Sequence, residues 1–196
     1  MVNILIDTQL VVAYYKEYNL GLSPDDINIS GSTIELFTKI SKQKDIIFVD
    51  YAGIDDNGKE KDGKIVLEWK DNVPKDAKQW FDTWLGTLLI SGQIKYICIS
   101  MDKSCYRLLE LLHRRYNFPR QGSDKWYLRT AKSVANNEER GKIAVTIITE
   151  DLDFYDPNQK NKLKGEARLK FMVQQAGTIP PILAEEGIAI NCVSIY

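Results

Sequence analysis

The sequence predicts an α/β protein, a three-layer α/β/α arrangement with a mostly parallel central sheet. Three observations lead there. Short β-branched runs recur along the chain. Stretches with apolar residues at helical spacing separate them, which favours parallel strands joined by crossover helices. The composition, 44% hydrophobic and 27% charged over 196 residues, is that of one ordinary domain able to bury a core.

The elements follow in order. "VNILID" (2–7) reads as a buried strand ending in an acid, and 9–20 as a helix carrying Leu10, Val11, Tyr14 and Tyr15. "LGLSPDD" (20–26) is a turn. Helical spacing resumes over 32–42, with Ser30 or Ser32 as N-cap. "IIFVDYAGI" and "KIVLEW", separated by the polar "DDNGKEKDG", read as a β-hairpin over 46–69 with a long tip. Residues 75–91 are helical, with Trp80, Trp84 and Leu88 on one side. "KYICIS" (95–100) is a strand, and Asp102 caps the amphipathic helix that ends at Pro119. A helix over 124–137, a strand from Val145, a lysine-rich loop to about 164, a helix near 165–176, a "TIPP" turn and a last strand, "GIAINCVSIY", complete the chain.

Several chemistries are disfavoured. Cys98, Cys105 and Cys192 have no metal-ligand spacing and are odd in number, so small buried thiols in a reducing cytoplasm are expected. His113 is the single histidine, on a helical pattern beside Arg114 and Arg115, and there is no G-x-S-x-G elbow. No apolar run approaches a membrane span, and the start lacks a basic-then-apolar leader, so no membrane partner is expected. The net charge of −1 gives no global signature of nucleic-acid binding but leaves room for a local basic patch. Any enzymatic chemistry is expected to run on carboxylates.

Those carboxylates gather at strand ends. "NILID" delivers Asp7, and "TIITED" delivers Glu150 and Asp151, with Asp153 just beyond. In open α/β sheets, ligands bind past the carboxyl ends of the strands. Converging acids there need a cation, and hard oxygen donors suit Mg²⁺ or Mn²⁺ better than zinc. Asp124 opens a helix whose Tyr127, Leu128, Ala131 and Ala135 form an apolar stripe, which puts it at the end of the inward face. Its simpler role is that of an N-cap. Glu35 lies in "TIELF", flanked by Ile34 and Leu36; it either points inward or faces solvent. Glu110 is the alternative acid.

Asp7 in "ILIDT", Glu35 in "SGSTIEL", Asp124 in "SDKWYLRTA" and "IITEDLDF" at 147–154 together resemble the PIN-domain ribonucleases. In that family an N-terminal strand ends in Asp-Thr and a Glu follows on an early helix. A later helix starts with Asp, and a strand runs into Thr-x-Asp-x-Asp-Phe. The chain exceeds the compact toxins of this family, and the resemblance places the excess as an inserted hairpin-and-helix region at about 43–94 of a single domain, 1–196.

The resemblance implies a cytoplasmic Mg²⁺- or Mn²⁺-dependent endoribonuclease, of toxin, processing or defence type. Asp7, Glu35, Asp124 and Asp151 or Asp153 would hold the metal, supported by Thr8 and Thr149. RNA is the implied substrate, a protein regulator or antitoxin an implied partner, and a homo-oligomer the implied assembly. Lys125, Arg129 and Lys132, at i, i+4 and i+7, share one helix face suited to substrate phosphates. Arg114, Arg115 and Arg120 form a second basic group, and the lysines of 158–170 either line a channel or keep a loop solvated. Trp126 or Tyr127 either stacks on bases or packs. Three other readings stand beside the first: an inactive PIN-like binding module, an NYN-type nuclease, and a phosphatase-like enzyme with Asp7 as nucleophile. The last is weakened by Gln9, where a second Asp is required.

Overall fold

A computed structural model describes residues 1–54, 56–57, 60–99, 102–136 and 143–196. The fold is α/β, with a mostly parallel central sheet. Strand β1 (Asn3–Ile6) leads through helix α1 (Thr8–Leu20) and helix α2 (Thr33–Gln43) to strand β2 (Ile46–Ile54). Strand β3 (Glu60–Asp62), helix α3 (Lys64–Asn72) and helix α4 (Lys78–Ile90) precede strand β4 (Ile94–Ile97). Helix α5 (Lys103–Tyr116) and helix α6 (Asp124–Ala135) lead to strand β5 (Val145–Ile148). Helix α7 (Gly165–Val173), helix α8 (Ile179–Glu185) and strand β6 (Ile188–Asn191) follow.

Five strands are parallel, in the order β4-β2-β1-β5-β6; β3 pairs antiparallel with the far end of β2. Ile4 stands between Ile47 on one side and Thr146 on the other. Ile4, Leu5 and Ile6 are all fully buried, so both sides of β1 are covered, as an apolar run in a parallel sheet requires. The chain works outward from β1 to β4, then restarts on the other side with β5. The strand order therefore reverses between β1 and β5, the topology at which open α/β sheets place a ligand crevice beyond the strand carboxyl ends.

The structure corrects three expectations. "KIVLEW" is not the second arm of a hairpin: it is the start of α3, and β2 pairs instead with the short β3. Ile65, Val66 and Trp69 are buried on one side of that helix, at spacings of one and four. Residues 43–94, expected as an insertion, supply β2 and β4, one wing of the sheet. "TIPP" begins α8, with proline in its first turn, where a missing N–H does no harm. The last strand stops at Asn191. Part of the expected hairpin tip, the end of "KYICIS" and the last residue of the 124–137 helix lie outside the described residues.

Asp102 caps α5 as its position predicts, accepting from the Cys105 N–H at 2.8 Å. Trp80 and Trp84 stack with centroids 5.9 Å apart and contact Tyr14 and Phe37, so α4 packs on the aromatic sides of α1 and α2. Cys105 and Cys192 are buried, whereas Cys98 is exposed. No helix among the described residues is long and apolar enough to cross a membrane.

Candidate metal centre

The acids at the crevice begin with Asp7. It follows β1 directly, caps α1, and is 8% exposed. Its backbone N–H donates to the Ile148 carbonyl at 3.0 Å, so the ends of β1 and β5 are clamped together. The Thr149 hydroxyl donates to Asp7 Oδ2 at 2.5 Å and accepts the Asp151 N–H at 2.9 Å. One hydroxyl thereby holds the Asp7 carboxylate and the Asp151 backbone.

Asp124, Asp151 and Asp153 each bring a carboxylate oxygen within 4.8 Å of the others. Asp151 caps a short 3-10 turn over Leu152–Phe154, accepting from the Asp153 N–H at 2.9 Å. That turn swings Asp153 back toward Asp151, and both acids face the same space. Asp124 is the first residue of α6; the preceding Ser123 occupies the cap position, so the Asp124 side chain is left for the cluster. Lys160 reaches in from the loop before α7. Its Nζ pairs with Asp151 Oδ1 at 3.1 Å and with Asp153 Oδ2.

A fifth acid was missed in the sequence. Glu68, on α3, is half-buried near Ser123 and Thr8, and its charge acts on Asp7. Its Oε2 is buried without a hydrogen-bond partner. The signal was present in "KIVLEW", where Glu68 interrupts an apolar run, but it required reading that run as a helix. Beneath these acids, the Tyr127 hydroxyl joins three elements. It accepts the Thr8 N–H at 3.1 Å and the Trp69 Nε1–H at 3.1 Å, and lies 2.9 Å from Thr8 Oγ1. Trp69 follows Glu68, Thr8 follows Asp7, and Tyr127 is one turn past Asp124. This buried network therefore sets the spacing of the three acid-bearing segments. Tyr127 is core, not a base-stacking surface, and Thr8 is committed to it.

Crowding carboxylates away from water disfavours their charged forms. Burial pushes Asp7 up to about 7; Asp151 and Glu68 add to the shift, against the hydrogen bonds from Thr149 and the Gln9 backbone. Burial likewise raises Asp124 to about 7, with Asp151, Asp7 and Asp153 contributing and Lys160 opposing. Asp153 and Glu68 are raised too, again chiefly by burial. Five carboxylates face one ammonium, an imbalance that a divalent cation would neutralise. The donors are all hard oxygens, so Asp124, Asp151 and Asp153 could hold a hard divalent cation.

Other expected members stand elsewhere. Glu35 is exposed at the start of α2, beside Thr38 and Lys39, because the inward side of that helix is taken by Thr33, Leu36, Phe37 and Ile40. Glu110 pairs with Arg114 at 2.6 Å along α5. Lys132 does not share an open basic face with Lys125 and Arg129: it is 7% exposed and bound to Glu186. Lys125 and Arg129 both lie over the Trp126 ring, at 5.7 and 4.8 Å from its centroid. Glu150, fully buried, is structural. It accepts from Ser30 Oγ at 2.5 Å and from the Val193 N–H at 3.1 Å, with Arg168 at 3.9 Å. No family model, curated protein or solved structure matches the chain.

Proposed function

We propose that this chain is a PIN-like, three-layer α/β/α nuclease that hydrolyses RNA phosphodiester bonds with Mg²⁺ or Mn²⁺. One observation carries the reading: Asp124, Asp151 and Asp153 converge within 4.8 Å at the point where the strand order reverses, with Asp7 and Glu68 acting on the same space. Asp7, Asp124 and Asp151 or Asp153 would hold the ions, and Glu68 takes the place expected of Glu35. Divalent ions held there supply a water of lowered pKa and positive charge for the phosphate oxygens. Thr149 holds the Asp7 carboxylate and the Asp151 backbone, and the Tyr127 network holds the helix of Asp124 against them. Lys125 and Arg129 lie on the helix that Asp124 opens, and a cavity of about 330 Å³ beside Thr8 carries Lys16. Both provide cationic surface for a phosphate backbone.

A binding module without catalysis is the second reading, and Lys160 favours it, because an ammonium already sits among the acids. Labelled single-stranded RNA incubated with the protein, with EDTA or Mn²⁺, separates the two. The nuclease reading expects cleavage in Mn²⁺ that is lost at least about 100-fold in Asp7→Asn and Asp124→Asn. Cleavage in EDTA, or equal cleavage by both variants, overturns it, and retention of intact RNA supports the binding module.

A further inference from the structure

Lys160 is the cation that the described ion pairs place on the acid triad. Its Nζ lies 3.1 Å from Asp151 Oδ1 and 3.2 Å from Asp151 Oδ2, and it also binds Asp153 Oδ2. Its charge acts on Asp124 as well. One ammonium thus serves the three carboxylates whose oxygens lie within 4.8 Å of one another. A divalent ion held by those oxygens takes the same acceptors and repels the ammonium at close range. The two cations are therefore alternatives.

Exposure decides which group yields. The side chains of Asp151 and Asp153 are 14% and 6% exposed, that of Lys160 47%. The acids are also pinned: Asp151 accepts the Asp153 N–H, and its own N–H donates to Thr149. The Lys160 ammonium hangs on a flexible four-carbon stem with three rotatable donors. Its backbone, by contrast, is anchored. The Lys160 N–H donates to the Pro157 carbonyl at 3.3 Å, closing a second 3-10 turn (Pro157–Gln159) that Asp156 caps. Asn117, at the end of α5, donates to Asn158 of that turn at 2.8 Å. A displaced ammonium therefore swings outward but stays at the rim of the acids. The anion that a metal on the triad attracts arrives at the same rim, and lysine binds phosphate as a point charge.

We propose that Lys160 exchanges partners, from Asp151 and Asp153 in the metal-free protein to a backbone phosphate in the RNA complex, and so makes metal and RNA binding favour each other. Metal frees the ammonium for the phosphate. The phosphate in turn draws it off the acids and removes the competitor of the metal. Linkage makes the two effects equal. This role rests on the reading that the acids hold a divalent ion and that RNA is the ligand; it does not require cleavage.

The test is calorimetric titration of Mn²⁺ into the full chain, with and without a single-stranded RNA of about ten nucleotides. Phosphorothioate linkages keep its charge and resist hydrolysis. RNA should raise the Mn²⁺ affinity of the wild type roughly two- to fivefold more than that of Lys160→Ala. The variant, freed of the competing ammonium, binds Mn²⁺ more tightly without RNA, and that advantage should disappear when RNA is present. Lys160→Arg, which keeps a cation at the rim, should retain most of the wild-type gain. The second readout is the salt dependence of RNA binding by fluorescence anisotropy. In Mn²⁺ the slope of log K against log salt should be shallower by about 0.7 in Lys160→Ala, one phosphate contact, whereas in EDTA the two proteins should match. Equal RNA-induced gains in wild type and Lys160→Ala, or a slope difference that persists unchanged in EDTA, overturns the exchange, as does failure of either Mn²⁺ or RNA to bind. Metal-dependent cleavage of unmodified RNA with equal gains removes the exchange and leaves the nuclease. Unequal gains with no cleavage under any metal keep the exchange and remove the nuclease.

Discussion

Lys160 decides how the acid cluster behaves when no divalent ion is bound. Its ammonium is about half exposed yet pairs with both Asp151 and Asp153. Those contacts overcome burial and hold its pKa above the usual lysine value, so it stays charged throughout the physiological range. Metal must displace it. Lys160→Ala is therefore expected to raise Mn²⁺ affinity roughly two- to fivefold by calorimetry, the modest coupling of a half-exposed pair. The same change should lower the melting temperature in EDTA, because five acids then repel with no internal counter-ion. Lower Mn²⁺ affinity in the variant would contradict this role. Thr149, Asp7 and the two aspartates after it were readable in the sequence, since a strand end fixes its own neighbours. Lys160 was not, because only the 3-10 turns after β5 bring residue 160 back to residue 151.

Helix α3 shows where local pattern falls short. Ile65, Val66, Leu67 and Trp69 suit a strand by type, and a short apolar run has no period long enough to decide. The decision comes from Asp50, distant in sequence, whose carboxylate receives the N–H groups of Lys64 at 2.6 Å and Ile65 at 2.8 Å. That cap requires a close approach: a Cβ on Gly63 would lie 2.0 Å from the Asp50 carbonyl oxygen. Gly63→Ala must push Asp50 away and uncap the helix, and is expected to lower stability by at least about 2 kcal/mol in urea unfolding. Metal affinity should fall with it, since Glu68 and Trp69 ride on α3. An unchanged urea midpoint would show that the cap does not hold the helix. Glu35 errs in the opposite direction. Its apolar neighbours suggested an inward acid, but α2 buries Thr33, Leu36, Phe37 and Ile40 and turns Glu35 to solvent.

The molecule as a whole carries a pH signature. Asp7 and Asp124 titrate at about 7 when folded, against about 3.9 in an unfolded chain. The folded state then binds more protons between those values, so metal-free stability falls as pH rises from about 4 to about 7 and levels off above. Glu17 opposes this at the acid end: despite burial, hydrogen bonds from Ser32 and Thr33 hold it below the usual glutamate value, so its contribution is lost as pH falls through that range. Melting temperatures in EDTA should thus decline from pH 5 to pH 8, and saturating Mn²⁺ should flatten or reverse the slope. A decline that persists unchanged in Mn²⁺ would place the titrating groups elsewhere. The α/β class and the strand-end acids followed from sequence because they rest on local periodicity; the wing formed by 43–94 did not, because strand order is a property of the assembled sheet. The clamp between Thr149 and Asp7 joins residues 142 apart, and the Thr8–Tyr127 contact spans 119. Loops of that length close late in folding. If the acidic edge assembles after the sheet, Thr149→Ala should speed unfolding in stopped-flow measurements while leaving the refolding rate nearly unchanged.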